Sequence, residues 1–176
     1  MSDTIIFRIA KPSDAGQIAL VQYSVRDYNP IGIFSKMDLF FLKRYYKIIL
    51  NDPYEVVICA ENEDGKIVGF NSATLNASWQ MKTLRKHWLS LGVSAIPSII
   101  KSPKLIKNLV QRFKSTSEKS SEKFVYGKGA RGEFWAWKKD DSNTLDAVNL
   151  SLKSNKIMAV LGASHIYIEV DLDNDK

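Results

Sequence analysis

Over residues 132–138 the chain alternates, with Glu133, Trp135 and Trp137 on one face and Phe134 and Ala136 on the other, which is the period of a strand. A polar break follows at 140–143. From Thr144 the period lengthens: Leu145, Val148, Leu152, Ile157, Val160 and Leu161 recur at helical spacing up to Gly162, which predicts a helix with a glycine at its C-cap. Ile166, Ile168 and Val170 then alternate with Tyr167, Glu169 and Asp171 as a second strand. Strand, helix and strand in that order predict a parallel pair with a right-handed crossover.

The first half of the chain adds a strand at 5–9 and a turn through Lys11-Pro12-Ser13-Asp14, with Ser13 as the expected N-cap of a helix. That helix would turn Ile18, Leu20, Val21 and Val25 inward and leave Gln17, Gln22 and Arg26 to solvent. A second helix is predicted from Ser35, spaced from Asp38 as in a capping box, through Phe40, Phe41, Tyr45 and Tyr46 to Asn51-Asp52-Pro53. Apolar runs at 55–60 and 66–75 flank Asn62-Glu63-Asp64-Gly65, where Asp-Gly supplies the positive φ of a tight hairpin turn. The pattern as a whole predicts an α/β (α+β) fold, a mixed central sheet covered by helices.

Composition then narrows the class. A chain of 176 residues, 45% apolar and 25% charged, is expected to form one domain with a real core. It contains no apolar run long enough to span a bilayer, and Met-Ser-Asp-Thr does not open a secretory signal, so a cytoplasmic location is expected. The single Cys59 sits in Val-Val-Ile-Cys-Ala and reads as a buried small hydrophobe. His87 and His165 lack ligand-spaced neighbours, so no metal is expected; no P-loop or nucleophile elbow is present.

Charge is concentrated between the hairpin and the next strand. Residues 80–128 hold eleven Lys or Arg against Glu118 and Glu122, a local excess of nine on a chain of net charge +6. Two amphipathic helices broken near Pro97 and Pro103 are predicted there, followed by a polar linker. This basic helical insert reads as a solvated face over an apolar stripe packed on the domain, as a lid for an anionic acceptor such as a nucleotide sugar, or as a peripheral membrane contact. Nucleic acid is not expected, because no binding motif accompanies the charge.

Three stretches resemble the GNAT (Gcn5-related) N-acetyltransferase superfamily: Phe7-Arg8-Ile9-Ala10-Lys11-Pro12-Ser13-Asp14 at the start, Glu63-Asp64-Gly65-Lys66-Ile67-Val68-Gly69-Phe70 in the hairpin, and Leu161-Gly162-Ala163 through Ile168-Glu169-Val170-Asp171 to Asn174. The resemblance implies an acyl-CoA N-acyltransferase fold over residues 1–176, with 80–128 as an insert, moving an acetyl group from acetyl-CoA to a small amine such as an amino sugar. It implies Glu133 as general base, pantetheine on the main chain of Trp135, Ala136 and Trp137, phosphates at Ser142, Asn143 and Thr144 with Lys138 or Lys139 adding charge, and Asn174 on the pantetheine arm. Glu133 could instead face solvent or pair with Arg131, and Glu169 and Asp171 are the other carboxylates considered.

Two features depart from the family pattern. No glycine lies between Gly132 and Gly162, where members carry a glycine-containing pyrophosphate loop, and residue 176 precedes the family's last helix and two strands. An uncovered edge along Ile166, Ile168 and Val170 then predicts association, for example as a homo-oligomer. The other function considered is a non-catalytic GNAT-like domain that binds a partner or an anionic membrane through the insert.

Overall fold

A computed structural model describes residues 4–28, 32–115, 128–138 and 144–168. Five strands, β1 (Ile6–Ile9), β2 (Glu55–Glu61), β3 (Ile67–Thr74), β4 (Ala130–Trp137) and β5 (Ile166–Tyr167), form one sheet in sequence order. The first four are antiparallel to their neighbours, and β4 and β5 run parallel, as predicted. The hairpin forms where expected: Gly65 takes φ 71°, and Asn62 Oδ1 accepts from the Lys66 N–H at 2.9 Å.

Helices cover both faces. On one, α1 (Ala15–Ser24) and α2 (Leu39–Ile49) bury Ile18, Val21, Leu42 and Tyr46 against Val57, Cys59 and Phe70. On the other, α6 (Thr144–Val160) packs on Val56, Ile58 and Ala73. Period-2 alternation along β2 therefore feeds two cores. Cys59 is fully buried, and burial, aided by the Asp14 charge, pushes its thiol up to about 12, which leaves it without nucleophilic character.

Several local expectations change. Asp14, not Ser13, is the residue before α1; its carboxylate is held by the Arg8 guanidinium at 2.6 Å and by the Lys11 N–H at 2.7 Å. Asp38 rather than Ser35 caps α2, because residues 34–36 form a separate 3₁₀ turn. Gln17 and Gln22 are not left to solvent: Gln17 Oε1 accepts from the Ile67 N–H and Gln22 Oε1 from the Tyr46 hydroxyl, so each ties α1 to a neighbouring element.

Gly162 ends α6 with φ 95°, and the Ala163 N–H returns to the Met158 carbonyl, which is the expected glycine cap. The buried face of α6 is not the predicted one. Ala147, Leu150, Ser154 and Met158 point inward, while Leu145, Val148, Leu152 and Val160 are exposed. Both sets have helical spacing, so periodicity alone cannot choose between them.

Between β3 and β4 the described residues form three helices rather than the two predicted: α3 (Ala77–Lys86), α4 (Trp88–Lys101) and α5 (Leu105–Ser115). Asn76 caps α3 by accepting from the Trp79 N–H at 3.1 Å. Pro97 lies inside α4 instead of breaking it; the breaks fall at His87 and at the turn that carries Pro103.

Candidate functional site

A β-bulge in β4 shapes the site. Ser72 pairs with Phe134 and Ala73 with Gly132, so Glu133 is the extra residue. The bulge reverses the alternation of the strand. Trp137 packs into the α6 core and Trp135 reaches α6, its Nε1 donating to the Ala147 carbonyl at 3.4 Å; Phe134 and Ala136 pack toward α1 and α2. Glu133 does not share the face of Trp135 and Trp137, as strict alternation predicts. It turns toward α2, where Tyr45 Oη donates to Glu133 Oε2 at 2.9 Å.

The same carboxylate accepts from Arg131 Nε at 3.0 Å, and Arg131 also donates to Gln80 Oε1 on α3 at 2.6 Å. The side chains of Arg131 and Glu133 are 7% and 8% exposed, so this pair is sheltered from water. Glu133 is thus paired with Arg131, the structural reading kept open above. Burial first, then the Glu133 charge, raises the Tyr45 hydroxyl well above its ordinary range, so Tyr45 stays protonated as a donor.

Below this pair, Glu55, Thr74, Arg131 and Tyr167 stand opposite one another in register across β2, β3, β4 and β5. Glu55 has the same parity as Val57 and Cys59, so its carboxyl enters the α1/α2 side. Both of its oxygens are buried without a completed hydrogen bond, and so is Gln80 Nε2. Burial, followed by the Glu133 charge, pushes the Glu55 carboxyl up to about 9; Thr74 and Gln80 pull weakly the other way. Glu55 is therefore a neutral acid at pH 7 beside the Glu133–Arg131 ion pair. Sequence reasoning missed Glu55, Gln80 and the role of Tyr45. The parity of Glu55 with two apolar residues was the available signal.

Among the described residues, β4 and β5 pair only through Ala130–Ile166 and Arg131–Tyr167. Ile168 lies against Gly132 beside this pairing. Trp135 is half exposed, Ala136 buried and Trp137 partly buried on Gly69. Thr144 is the first residue of α6. Ser142, Asn143, Lys139, Glu169, Asp171 and Asn174 lie outside the described residues. Strand main chain at 135–137 and the α6 N-terminus at Thr144 are the kinds of element that hold an extended thioester cofactor with phosphates at one end. Beside the site, a cavity of about 570 Å³ opens between α2 and α3, lined by Arg44, Lys47, Asp52, Trp79, Lys82 and Lys86 among others. Asp52 is engaged by the Thr83 hydroxyl at 2.6 Å and by the Tyr54 N–H at 3.0 Å.

A mixed five-stranded sheet with helices on both faces, a bulge in its fourth strand and a parallel last pair is the acyl-CoA N-acyltransferase fold of the GNAT acetyltransferases. No protein-family model and no curated protein matches the chain in sequence. Among solved structures it is similar to an aminoglycoside N-acetyltransferase in complex with CoA (TM-score 0.57, 8% identity, covering 99% of this chain and 82% of that one). It is also similar to a GNAT family acetyltransferase of Staphylococcus aureus (0.53, 14%, 100% and 92%). A third similar structure is a ribosomal-protein-alanine N-acetyltransferase from Brucella melitensis biovar Abortus (0.52, 11%, 97% and 82%). At these identities the likeness defines the fold.

Proposed function

We propose that the protein transfers an acetyl group from acetyl-CoA to a small amine that also carries negative charge. The observation that carries this reading is the β4 bulge, which turns Glu133 toward α2 beside the Arg131–Tyr167 pair of β4 and β5. Bound acetyl-CoA would supply the reactive thioester. The main chain of Trp135 to Trp137 would align its pantetheine arm, and the α6 N-terminus from Thr144 would face its phosphates. Arg131 holds the Glu133 carboxylate in an ion pair. Because Glu133 is nearly closed to solvent, it would draw the proton of the attacking amine through an ordered water, with Arg131 and Tyr45 fixing the carboxylate. Arg44, Lys47, Lys82 and Lys86 around the neighbouring cavity favour an acceptor with a phosphate or carboxylate, such as an acidic amino sugar, over a polycation.

The closure of Glu133 also supports the alternative, a non-catalytic domain of the same fold. Two measurements separate them. Acetyl-CoA at a hundred times its Kd should stabilise the protein by about 2.7 kcal/mol, and Glu133→Gln should keep that stabilisation while lowering kcat by roughly 10²-fold. Absence of any acetyl-CoA stabilisation would remove the enzymatic reading; stabilisation without turnover over a panel of anionic amines would favour the alternative.

A further inference from the structure

The helix α4 is built inside out. Its large apolar residues Leu89, Val93, Ile96 and Ile100 recur at intervals of four, three and four, which gathers them on one stripe. They are 63, 62, 49 and 74% exposed, with Trp88 at 58% beside the first. The inward side is smaller and partly polar, with Leu91 and Ile99 packed on the α1/α2 core. Ser94, Ala95 and Ser98 are buried, Ser98 Oγ accepts from the Asp38 N–H at 2.7 Å, and Ser90 Oγ accepts from Arg44 Nε at 3.1 Å. A serine ridge hydrogen-bonded to α2 fixes the rotation of the helix, so the apolar stripe is held outward by the chain's own bonds. Ile106 and Val110, one turn apart on α5 and each about half exposed, enlarge the apolar surface.

Charge identifies what covers it. Residues 77–115 contain eight Lys or Arg and no Asp or Glu. Lys82, Arg85 and Lys86 precede the stripe in sequence, and Lys101, Lys104 and Lys107 follow it. Asp38 pairs with Lys101, but the other flanking cations have no acid within 77–115, so two copies meeting face to face through this surface would set cations against cations. An anionic bilayer meets both requirements: the stripe enters the acyl boundary while lysines at either end reach the headgroups. No helix among the described residues is long and apolar enough to cross a membrane, so α4 would lie along the surface.

We propose that the outward face of α4 and α5 docks the protein on an anionic lipid surface, independently of what the β4 site does. The test is co-sedimentation of the full chain with vesicles of phosphatidylcholine alone and of phosphatidylcholine with about 30% phosphatidylserine, a content chosen to give a strongly negative surface. Binding is expected to the anionic vesicles only, and to fall when ionic strength is raised. Leu89→Gln/Val93→Gln/Ile100→Gln and, separately, Lys104→Gln/Lys107→Gln should each weaken it at least about tenfold, with the melting temperature unchanged because these side chains point away from the core. No sedimentation with anionic vesicles, or equal binding to neutral ones, would overturn the proposal. So would a concentration-dependent dimer that Ile100→Gln dissolves, since that would make a second copy the occupant.

Discussion

The neutral acid at Glu55 makes the stability of this fold depend on pH in an unusual direction. In the unfolded chain the carboxyl titrates near 4.5, and in the fold near 9. Between those values the folded protein holds a proton that the unfolded chain has released, so the contribution of this group is fully present below pH 4.5 and is lost as pH rises toward 9. At pH 7 the gap is about 2.5 pH units at 1.36 kcal/mol each, on the order of 3 kcal/mol of stability forgone. Glu55→Gln removes the titration while keeping shape, and its amide oxygen can accept from the unpaired Gln80 Nε2. The variant should therefore be more stable at pH 7 by roughly 3 kcal/mol, a rise in melting temperature of about 6–12 °C for a chain of this size. Calorimetric or urea unfolding from pH 5 to 9 checks this. The native protein should lose about 1.4 kcal/mol per pH unit in mid-window from this group, and the variant should lack that component. A variant with the same slope, or one less stable at pH 8, would refute the assignment of Glu55 as a buried neutral acid. Because the Glu133 charge is the second cause of the shift, Glu133→Gln should lower the folded Glu55 carboxyl and end the pH-dependent loss at a lower pH, with the mid-window slope unchanged.

Three further outcomes can be measured by chemical denaturation. Gly69→Ala would place its Cβ 2.3 Å from Trp137 Cε3, so a loss of about 1–3 kcal/mol is expected, and Trp137→Leu in the same chain should recover most of it. Gly162→Ala forces a side chain onto φ 95° at the end of α6 and should cost about 1 kcal/mol. Arg8→Met leaves the buried Asp14 carboxylate without its guanidinium and should cost on the order of 2 kcal/mol at pH 7, less than a fully buried pair because Arg8 is a quarter exposed. Burial raises the Asp14 carboxyl, but Arg8 and the Lys11 N–H outweigh it and hold it below 3.8, so the contribution of this pair is present above pH 3.8 and fades as acid titrates the folded carboxylate.

The hairpin at Gly65, the cap at Gly162 and the parallel β4–β5 pair were legible because each is written in a few adjacent residues or in element order. What stayed hidden depends on contacts distant in sequence. Leu145, Val148 and Leu152 form as good a stripe as Ala147, Leu150 and Met158, and only the sheet beneath decides which is buried. In α4 the stripe of Leu89, Val93, Ile96 and Ile100 faces out because the serines find Asp38 and Arg44, partners more than 40 positions away. The position of Glu133 in β4 was readable, but not the side of the sheet it serves, since a bulge is set by the register of the neighbouring strand. The neutral Glu55 follows from parity with Val57 and Cys59 plus the absence of a completed hydrogen bond, and the second half of that statement exists only in three dimensions.

The bulge has a consequence for how this site can change. A one-residue offset works like a frameshift in the side-chain order of β4: Arg131 and Glu133 lie in one frame, and Trp135 and Trp137 in the other, on opposite sides of the sheet. Substitutions before the offset alter the hydrogen-bonded polar cluster facing α2 and α3, and those after it alter the surface facing α6. Selection can therefore retune the chemistry at one end of a single strand while the other end keeps its packing.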